Sequence, residues 1–418
     1  MEARTYACID MRTFYASVEC AQRGLNPFSS PLVVADPERG PNALCLAVSP
    51  YLKVRGVKNR CRLSDIPKDL SFQIAPPRMH LYMEYAAEIY ALYLRYMAPE
   101  DMHVYSIDES FLDLTEYLRL YRTGARDYVR FLMQAILDEL HIPSTAGIGT
   151  NLYLAKVALD LEAKHNRDHI AFLDEEQYRA RLWHHRPLSD FWSVAQGTQT
   201  RLAGRGIFDM EGVAHAPQEL LARLFGKDWI LLYDHAWGRE DCRMEDIKAY
   251  RPQEKSISNS QILPRDYTPA EGETVLREMV FSGCERMAAG HVSAGRVWVC
   301  VGFSDLNRPP VSGQAGMSVT TNLPSLIEPY ALRLYRGMVR PDFPVRRIGL
   351  SFGGLCGEGS EGYDLFVDPE QAQREKSRQR AVLFLQERYG RNAVLRGTDY
   401  LPESTRRERN GLIGGHKA

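Results

Sequence analysis

Two rhythms of apolar and polar positions alternate along this chain, one with the spacing of strands and one with that of helices. The opening run YACID is apolar and ends on a charge at Asp10, which predicts a short buried strand. FYASVECAQR follows with helical spacing. Between residues 32 and 48, short β-type runs are interrupted by the turn-like DPERGPN. Residues 78–97 repeat apolar side chains at i, i+3 and i+4, the stripe of a long amphipathic helix. HVYSID and SFLDLT then read as two short strands meeting at Asp108 and Glu109. A second amphipathic segment, residues 125–140, precedes the strand STAGIGT and a helix from Asn151 to about Glu162. The order β, α, β, β, α, β, α is that of a ferredoxin-like sheet, with residues 32–74 inserted after its first strand and helix.

The pattern changes after that. Residues 188–241 give short helices broken by glycines, including QGTQTRLAGRGIFDM, and residues 240–253 are polar and charged enough to link domains. Strand signals return in KSISNSQILPRDY, GRVWVCVGFSD and RRIGLSFGGL, with helical stretches near 273–289 and 325–339 between them, so a second α+β domain follows. Beyond Gly357 the chain turns basic and poor in apolar residues, with one helical segment from Pro369 to Tyr389. Its end, STRRERNGLIGGHKA, reads as flexible.

Composition narrows the class without deciding it. At 418 residues about two to four domains are expected. The apolar share of 44% and charged share of 25% are ordinary for a globular protein. No apolar run approaches the roughly 20 residues of a membrane helix, and MEARTYACID has no secretory pattern. The 8 cysteines are scattered, with no CxxC pair and no zinc spacing; reduced thiols in a cytoplasmic protein are the simplest reading. The formal net charge of −1 speaks weakly against a nucleic-acid partner. Distribution counts for more: residues 374–409 hold ten Lys/Arg against five Asp/Glu, leaving room for a separate basic surface.

The strongest chemical signal is carboxylic. Asp10 ends an apolar strand, where its side chain emerges at the sheet rim, and Asp108 and Glu109 fall at the turn between two strands. In a ferredoxin-like sheet those strands are neighbours, so the three carboxylates converge. Hard oxygen ligands suit Mg²⁺, and two such ions stabilise attacking and leaving oxygens in an in-line phosphoryl displacement. By spacing alone, a strand terminator and an exposed turn would look the same.

The surroundings are more specific. CIDMRTFYASVEC, AVSPYLKVRGVK, VYSIDESFLDLT and AGIGTNLYLAKVALDLEAK occur in this order, and together they resemble the Y-family DNA polymerases, the translesion enzymes that include UmuC and DinB. The resemblance spans nearly the whole chain and is nearest to the UmuC-like branch of Gram-positive bacteria. It implies an α+β right hand: a ferredoxin-like palm (1–31 and 75–170), small fingers (32–74), a helical thumb with a helix-hairpin-helix (171–240), a linker (241–254), an α+β little finger (255–356) and a basic tail (357–418). It implies two Mg²⁺ ions, replaceable by Mn²⁺, on Asp10, Asp108, Glu109 and the Met11 carbonyl. Phe14 and Tyr15 match the aromatic pair beneath the incoming sugar, with Tyr15 as steric gate against a 2′-hydroxyl; ordinary helix packing is the alternative.

No GxxxxGK[ST] is present, so a triphosphate must be held without a P-loop. In the family a Tyr-x-x-Arg pair and a lysine after the last palm strand do this. Here Pro50 stands at the tyrosine position, Tyr51 is one residue off, and Lys53 replaces the arginine, a point charge in place of a fork. Ala163 occupies the lysine position and Lys164 follows one residue later, where a shift at the helix end would restore it as a triphosphate contact, beside Lys53. Lys156, on the same helix, is a second candidate for that contact but reads as readily as a solvated or core-edge lysine. Leu44 and Leu46 fall where small residues often roof the nascent base pair.

The resemblance also implies DNA contacts. Gly204 and Gly206 lie in the helix-hairpin-helix stretch, where backbone amides reach phosphates. Lys255, Ser256, Ser258, Arg346 and Arg347 fall in the little finger, though an arginine there is as readily a solvated charge. GYDLF is similar to the Gln-x-x-Leu-Phe peptide that binds the sliding clamp, with Leu365 and Phe366 as apolar anchors and Gly362 in place of glutamine; an apolar pair packed at a domain edge is the alternative. The expectation is a monomer extending a DNA primer with deoxynucleoside triphosphates, at low fidelity and past damaged bases. The rivals are a nucleotidyl cyclase, which needs no duplex grip, and a catalytically inactive DNA-binding homologue.

Overall fold

The computed structural model describes residues 4–252, 255–305, 307–359 and 368–418. The chain divides into two compact units, Met1–Tyr250 and Arg251–Lys417. No helix among the described residues is long and apolar enough to cross a membrane. All eight cysteines are free.

The first unit is built on a five-stranded sheet ordered Met102–Val104, Glu109–Asp113, Tyr6–Met11, Ser144–Gly149, Ile170–Leu173. Its first four strands have the ferredoxin-like order, and the fifth adds in parallel to the fourth. The apolar run YACI earns the centre of the sheet because each of its residues is buried. The helices Met79–Leu94 and Ala125–Leu140 follow the periodicity read from the sequence.

One close approach sets the rest of this unit. The helix Leu152–Val157 starts at Asn151, whose side chain accepts from the Leu154 N–H at 2.8 Å, and continues as a π-helix over Ala158–Ala163. It lies directly on the Ser144–Gly149 strand. A Cβ on Gly147 would overlap the Ala155 carbonyl oxygen and the Leu159 backbone, and one on Gly149 the Ala155 nitrogen. Only glycine permits helix and sheet backbones to meet this closely.

Residues 32–75 form a small sheet of Leu32–Val34, Ala47–Val48 and Gln73–Ala75 around Val33, Cys45, Val48 and Leu52. The short helices from Glu175 to Ala236 enclose a separate core with Leu202, Met210 and Leu221. The stretch expected as a linker is partly folded: Met244–Ala249 is helical, and buried Met244 joins the cluster of Tyr6, Cys8 and Phe111.

The second unit is an antiparallel sheet ordered Val311–Thr321, Val292–Phe303, Val345–Gly357, Ile257–Tyr267. The helices Pro269–Ala289 and Pro324–Met338 cover one face through Val275, Met279, Ile327 and Tyr335. The first of them opens with a capping box, Thr268 with Glu271.

The basic tail differs most from expectation. The helix Pro369–Tyr389 forms as predicted but packs beside Pro269–Ala289, and the end of the chain is folded. Thr405 donates its N–H to buried Glu278 at 3.1 Å. Arg406, 2% exposed, places one nitrogen 2.8 and 2.7 Å from the two oxygens of Glu285. Arg396 and Arg406 both lie over the Phe281 ring, at 4.2 and 4.9 Å. Polar and cation–π contacts hold the segment, and for that reason its low apolar content was misleading.

Removing one partner of a buried ion pair strands the other charge, so Arg406→Ala should cost the second unit about 3 kcal/mol in chemical denaturation, while replacing both Arg406 and Glu285 with Met should cost less. A pH effect follows from the capping box. Arg265, then the Thr268 N–H, hold the Glu271 carboxyl down to about 2 from its ordinary 4.5. The folded carboxyl titrates below the unfolded one, so its stabilisation is complete above pH 4.5 and vanishes as the pH falls toward 2. Stability of Glu271→Gln measured over that interval should fall less steeply than that of the parent.

Candidate active site

Asp10 and Glu109 are direct cross-strand partners, so their side chains emerge on the same side of the sheet. The Met11 N–H donates to the Asp108 carbonyl at 2.8 Å, which ties the end of the first strand to the hairpin. Asp108 Oδ1 accepts from Ser106 Oγ at 2.7 Å. The three carboxylates expected together are therefore brought to one rim, with the backbone of Met11 between them.

Two lysines hold that rim. Lys164 Nζ lies 2.9 Å from Asp10 and 2.7 Å from Asp160. Lys156 Nζ lies 2.6 Å from Glu109 and 3.1 Å from Asp160. Lys156 is buried and paired with two carboxylates, so it is not the solvated lysine that one reading allowed but a counter-ion at the edge of the core. Cys8 completes the chain by donating its S–H to Glu109 at 2.9 Å. Burial pushes the Asp10 carboxyl up, against the pull of Lys164. For Lys164 burial works the other way, but Asp10 and Asp160 outweigh it and raise the ammonium's pKa.

The π-helix explains how Lys164 reaches Asp10. A π-turn holds one residue more than the α-turn it replaces, so a lysine one place late in sequence is returned to register. Sequence reasoning passed over Asp160 and left Lys156 undecided. The signal was there: Lys156, Asp160 and Lys164 recur at i+4 along one stripe.

Beyond Met11 the chain turns sharply. Thr13 adopts a left-handed conformation (φ 47°, ψ 47°), costly for a β-branched residue. Ser17 steadies it, donating its N–H to the Thr13 carbonyl and its hydroxyl to the Arg12 carbonyl. The turn starts the Phe14–Gln22 helix, with Phe14 buried and Tyr15 half-buried. The Tyr15 ring stacks on Tyr82, centroids 4.5 Å apart and planes within 23°. Tyr82 is fully buried and donates its hydroxyl to Glu19 at 2.8 Å. Arg78 binds both Glu19 oxygens and Arg23 pairs with it. Burial would raise the Glu19 carboxyl's pKa, but Arg78, Arg23 and Tyr82 together hold it below its ordinary value.

Lys53 is exposed on the helix Pro50–Val54. Its amine is held below its ordinary pKa, first by desolvation and then by Lys164 and Arg12, with Asp10 opposing. Its charge is thus felt by the rim groups Asp10 and Lys164. Pro50 opens that helix, and Tyr51 lies under Arg55, whose guanidinium carbon is 3.5 Å from the ring centroid.

The expected DNA contacts divide. Gly206 has φ +77° and needs to be glycine, but Gly204 has an ordinary helical backbone. Their N–H groups donate to the carbonyls of Ala203 and Thr200, so neither is a free donor for a phosphate. The first-turn amides at Gln196 and Gly197 have no intrahelical acceptor and are the better candidates. In the second unit Ser258 and Arg347 stand exposed on the sheet's open side. Lys255 and Ser256 are exposed just before its first strand. Arg346 falls where the register shifts between Val345 and Arg347, and it lies 3.7 Å from Asp266. Leu365 and Phe366 lie outside the described residues.

Among the described residues no group of three His, Cys, Asp or Glu side chains is already gathered tightly enough to hold an ion; Lys156, Lys164 and Ser106 occupy the carboxylates' hydrogen-bonding positions instead. The donor set nevertheless suits hard divalent cations: three carboxylates and a main-chain carbonyl on one rim, with burial keeping Asp10 short of compensation.

A ferredoxin-like palm with an acidic rim, small fingers, a helical thumb and a separate α+β unit define a right-hand polymerase. The comparisons agree. Residues 9–160 match the impB/mucB/samB family and residues 254–365 its C-terminal domain. UvrX of Bacillus subtilis (strain 168), whose name ties it to UV-damage repair, is 32% identical, covering 98% of this chain and 97% of its own length. DNA polymerase IV 2 of the same organism is 28% identical over 100% of this chain and 99% of its own. A solved Y-family DNA polymerase chimera of Dbh and Dpo4 superposes with a TM-score of 0.64 at 19% identity, covering 84% of this chain and 98% of the other. The chain belongs to the impB/mucB/samB family, the Y-family DNA polymerases.

If Lys156 serves as the buried counter-ion of Glu109 and Asp160, Lys156→Met should lower stability by about 3 kcal/mol. Added Mg²⁺ should raise the melting temperature of that variant by more than it raises the parent's, because a bound cation offsets the stranded carboxylates.

Proposed function

We propose that this protein is a DNA-directed DNA polymerase that performs translesion synthesis at low fidelity, joining deoxynucleoside triphosphates to a primer by two-metal nucleotidyl transfer. The observation that carries the reading is the cross-strand pairing of Asp10 with Glu109, beside Asp108 and next to the turn that presents Tyr15. Asp10, Asp108, Glu109 and the Met11 carbonyl would hold Mg²⁺, or Mn²⁺ in its place. When bound, those ions would lower the charge barrier to attack of the primer 3′-oxygen on the α-phosphorus.

The chain's own groups do the remaining work. Lys164 can exchange carboxylate for phosphate oxygens without leaving the rim, since its side chain is 39% exposed. Lys53 adds a second point charge. Tyr15, braced from behind by Tyr82, sets a flat wall against a 2′-hydroxyl. Among the described residues no histidine is hydrogen-bonded or ion-paired to Asp10, Asp108 or Glu109 as an evident base, so the primer proton would leave to water or phosphate. The fingers consist of a three-stranded sheet and short helical turns; so small a roof checks the nascent pair weakly and leaves room for a damaged base.

The open side of the second unit fits a duplex backbone. Ser258, Ser260, Arg296, Gln314, Arg347 and Ser351 present hydroxyl, amide and guanidinium donors, with Trp298 among them.

The test is primer extension with Mg²⁺. The parent should extend a primed template, Asp108→Ala should lose at least about a thousandfold in rate, and Tyr15→Ala should accept ribonucleotides far more readily than the parent. A parent that does not extend, or an Asp108→Ala variant that does, defeats the reading.

A further inference from the structure

At the positions where the sequence places the phosphate-binding pair, the fingers offer no guanidinium. Lys53 is a point charge where an arginine fork is expected, Pro50 supplies no side-chain donor, and Tyr51 is covered by its own Arg55. A guanidinium does stand nearby, but it comes from the palm.

Arg12 follows Met11 at the end of the first strand. Its backbone is fixed at both ends: the N–H donates to the Pro143 carbonyl at 2.8 Å and the carbonyl accepts from Ser17 Oγ at 2.6 Å. Its side chain is half-buried. Nη1 donates to His169 Nε2 at 2.7 Å, and the guanidinium carbon lies 5.1 Å from the Phe28 ring centroid. Phe28 adjoins Pro27, whose carbonyl accepts the N–H of Tyr51. Arg12 therefore sits where the palm rim meets the helix that carries Lys53.

What is absent around Arg12 is an anion. Among the described residues no carboxylate is in hydrogen-bond or ion-pair contact with it, whereas Arg4, Arg23, Arg78 and Arg186 each have one. Its charged neighbour is Lys53. The imidazole can accept only one of the five guanidinium N–H donors, and because arginine must donate, Nε2 must be the unprotonated nitrogen. A guanidinium partly withdrawn from water costs free energy unless an anion compensates it. This one is fixed in place, and four of its donors remain.

We infer that Arg12 is a ligand of the incoming nucleotide's triphosphate, its planar fork taking non-bridging phosphate oxygens in the place that Lys53 cannot fill, with His169 as the positioning residue that aims it. The inference rests on the nucleotidyl-transfer reading above. The pairing is that of guanidinium with phosphate, bidentate and charge-assisted. The ordered backbone at Pro143 and Ser17 means that little is lost in fixing the group when the tail arrives.

Steady-state primer extension at saturating DNA tests it, together with calorimetric titration of inorganic pyrophosphate and Mg²⁺ into the full chain. Arg12→Ala should raise the KM for dNTP about tenfold or more while kcat falls by much less, should weaken pyrophosphate binding in parallel, and should leave the Kd for primer-template unchanged. Arg12→Lys should recover only part of the loss, and His169→Ala should give a smaller rise in KM with the thermal melt intact. An unchanged KM and unchanged pyrophosphate affinity in Arg12→Ala overturn the inference, as does a loss confined to DNA affinity, which would assign the group to a DNA phosphate. If the parent does not extend primers, the nucleotidyl-transfer reading falls and pyrophosphate titration alone decides Arg12: weaker binding upholds its phosphate contact, and equal binding removes it.

Discussion

Four carboxylates crowded at one sheet rim set the terms for the larger unit. Asp10, Asp108, Glu109 and Asp160 repel one another, and at a few ångströms each like-charge pair costs from about 1 kcal/mol in water to about 4 near a protein surface. Such a cluster persists only if cations are threaded through it. Lys156 and Lys164 are those cations, each bridging Asp160 to one rim carboxylate. Their delivery explains the close helix–sheet contact. Gly147 and Gly149 let the helix lie on the strand, Asn151 starts it, and the π-turn adjusts its last residues so that the second lysine arrives beside Asp10. What looks like three separate features of the sequence is a single device for balancing charge.

The same economy governs the aromatic pair. Tyr15 is placed by a strained turn at Thr13 and braced by Tyr82, whose hydroxyl is committed to Glu19. Glu19 is tolerable inside the protein only because Arg78 and Arg23 meet it. A ring that must reject a single extra oxygen has to be rigid, since a displacement comparable to that atom's radius would admit it. Stacking against a ring whose only polar atom is already bound supplies that rigidity without an additional polar contact to the substrate.

These features were unequally legible in the sequence. The palm strands and helices could be read because burial on one side imposes periods of 2 and 3.6 residues, and the order of those periods left few topologies. Asp10, Asp108 and Glu109 could be placed because a hairpin must pair next to the first strand. Lys164 could be named as a candidate but its exact position could not be fixed, since a π-turn leaves no periodic trace of its own. The fold of the chain's end was hidden for another reason. Gln379, Gln386, Asp399 and Arg406 are buried there, and polar residues that bury themselves by pairing look like a solvated tail when only apolar content is counted. Arg346 shows a third limit: a bulge in its strand breaks the alternation from which side-chain direction is inferred.

Net charge misleads for a related reason. A total of −1 describes the sum, whereas recognition depends on where the charges stand. Of the arginines near the chain's end, Arg396 and Arg406 are committed to Phe281, Asp399 and Glu285, so part of the tail's basicity serves the fold and is not offered to a ligand. The open side of the second unit's sheet, at positions 258, 260, 262, 296, 298, 300, 312, 314, 347 and 351, contains two arginines and no carboxylate. Its other donors are mainly neutral. On the proposed reading, such a face would neutralise few phosphates, and because salt dependence grows with the number neutralised, its grip would be weak and nearly independent of sequence. A polymerase that must advance after each addition needs a hold of that kind, close enough to keep the duplex in register and loose enough to release it.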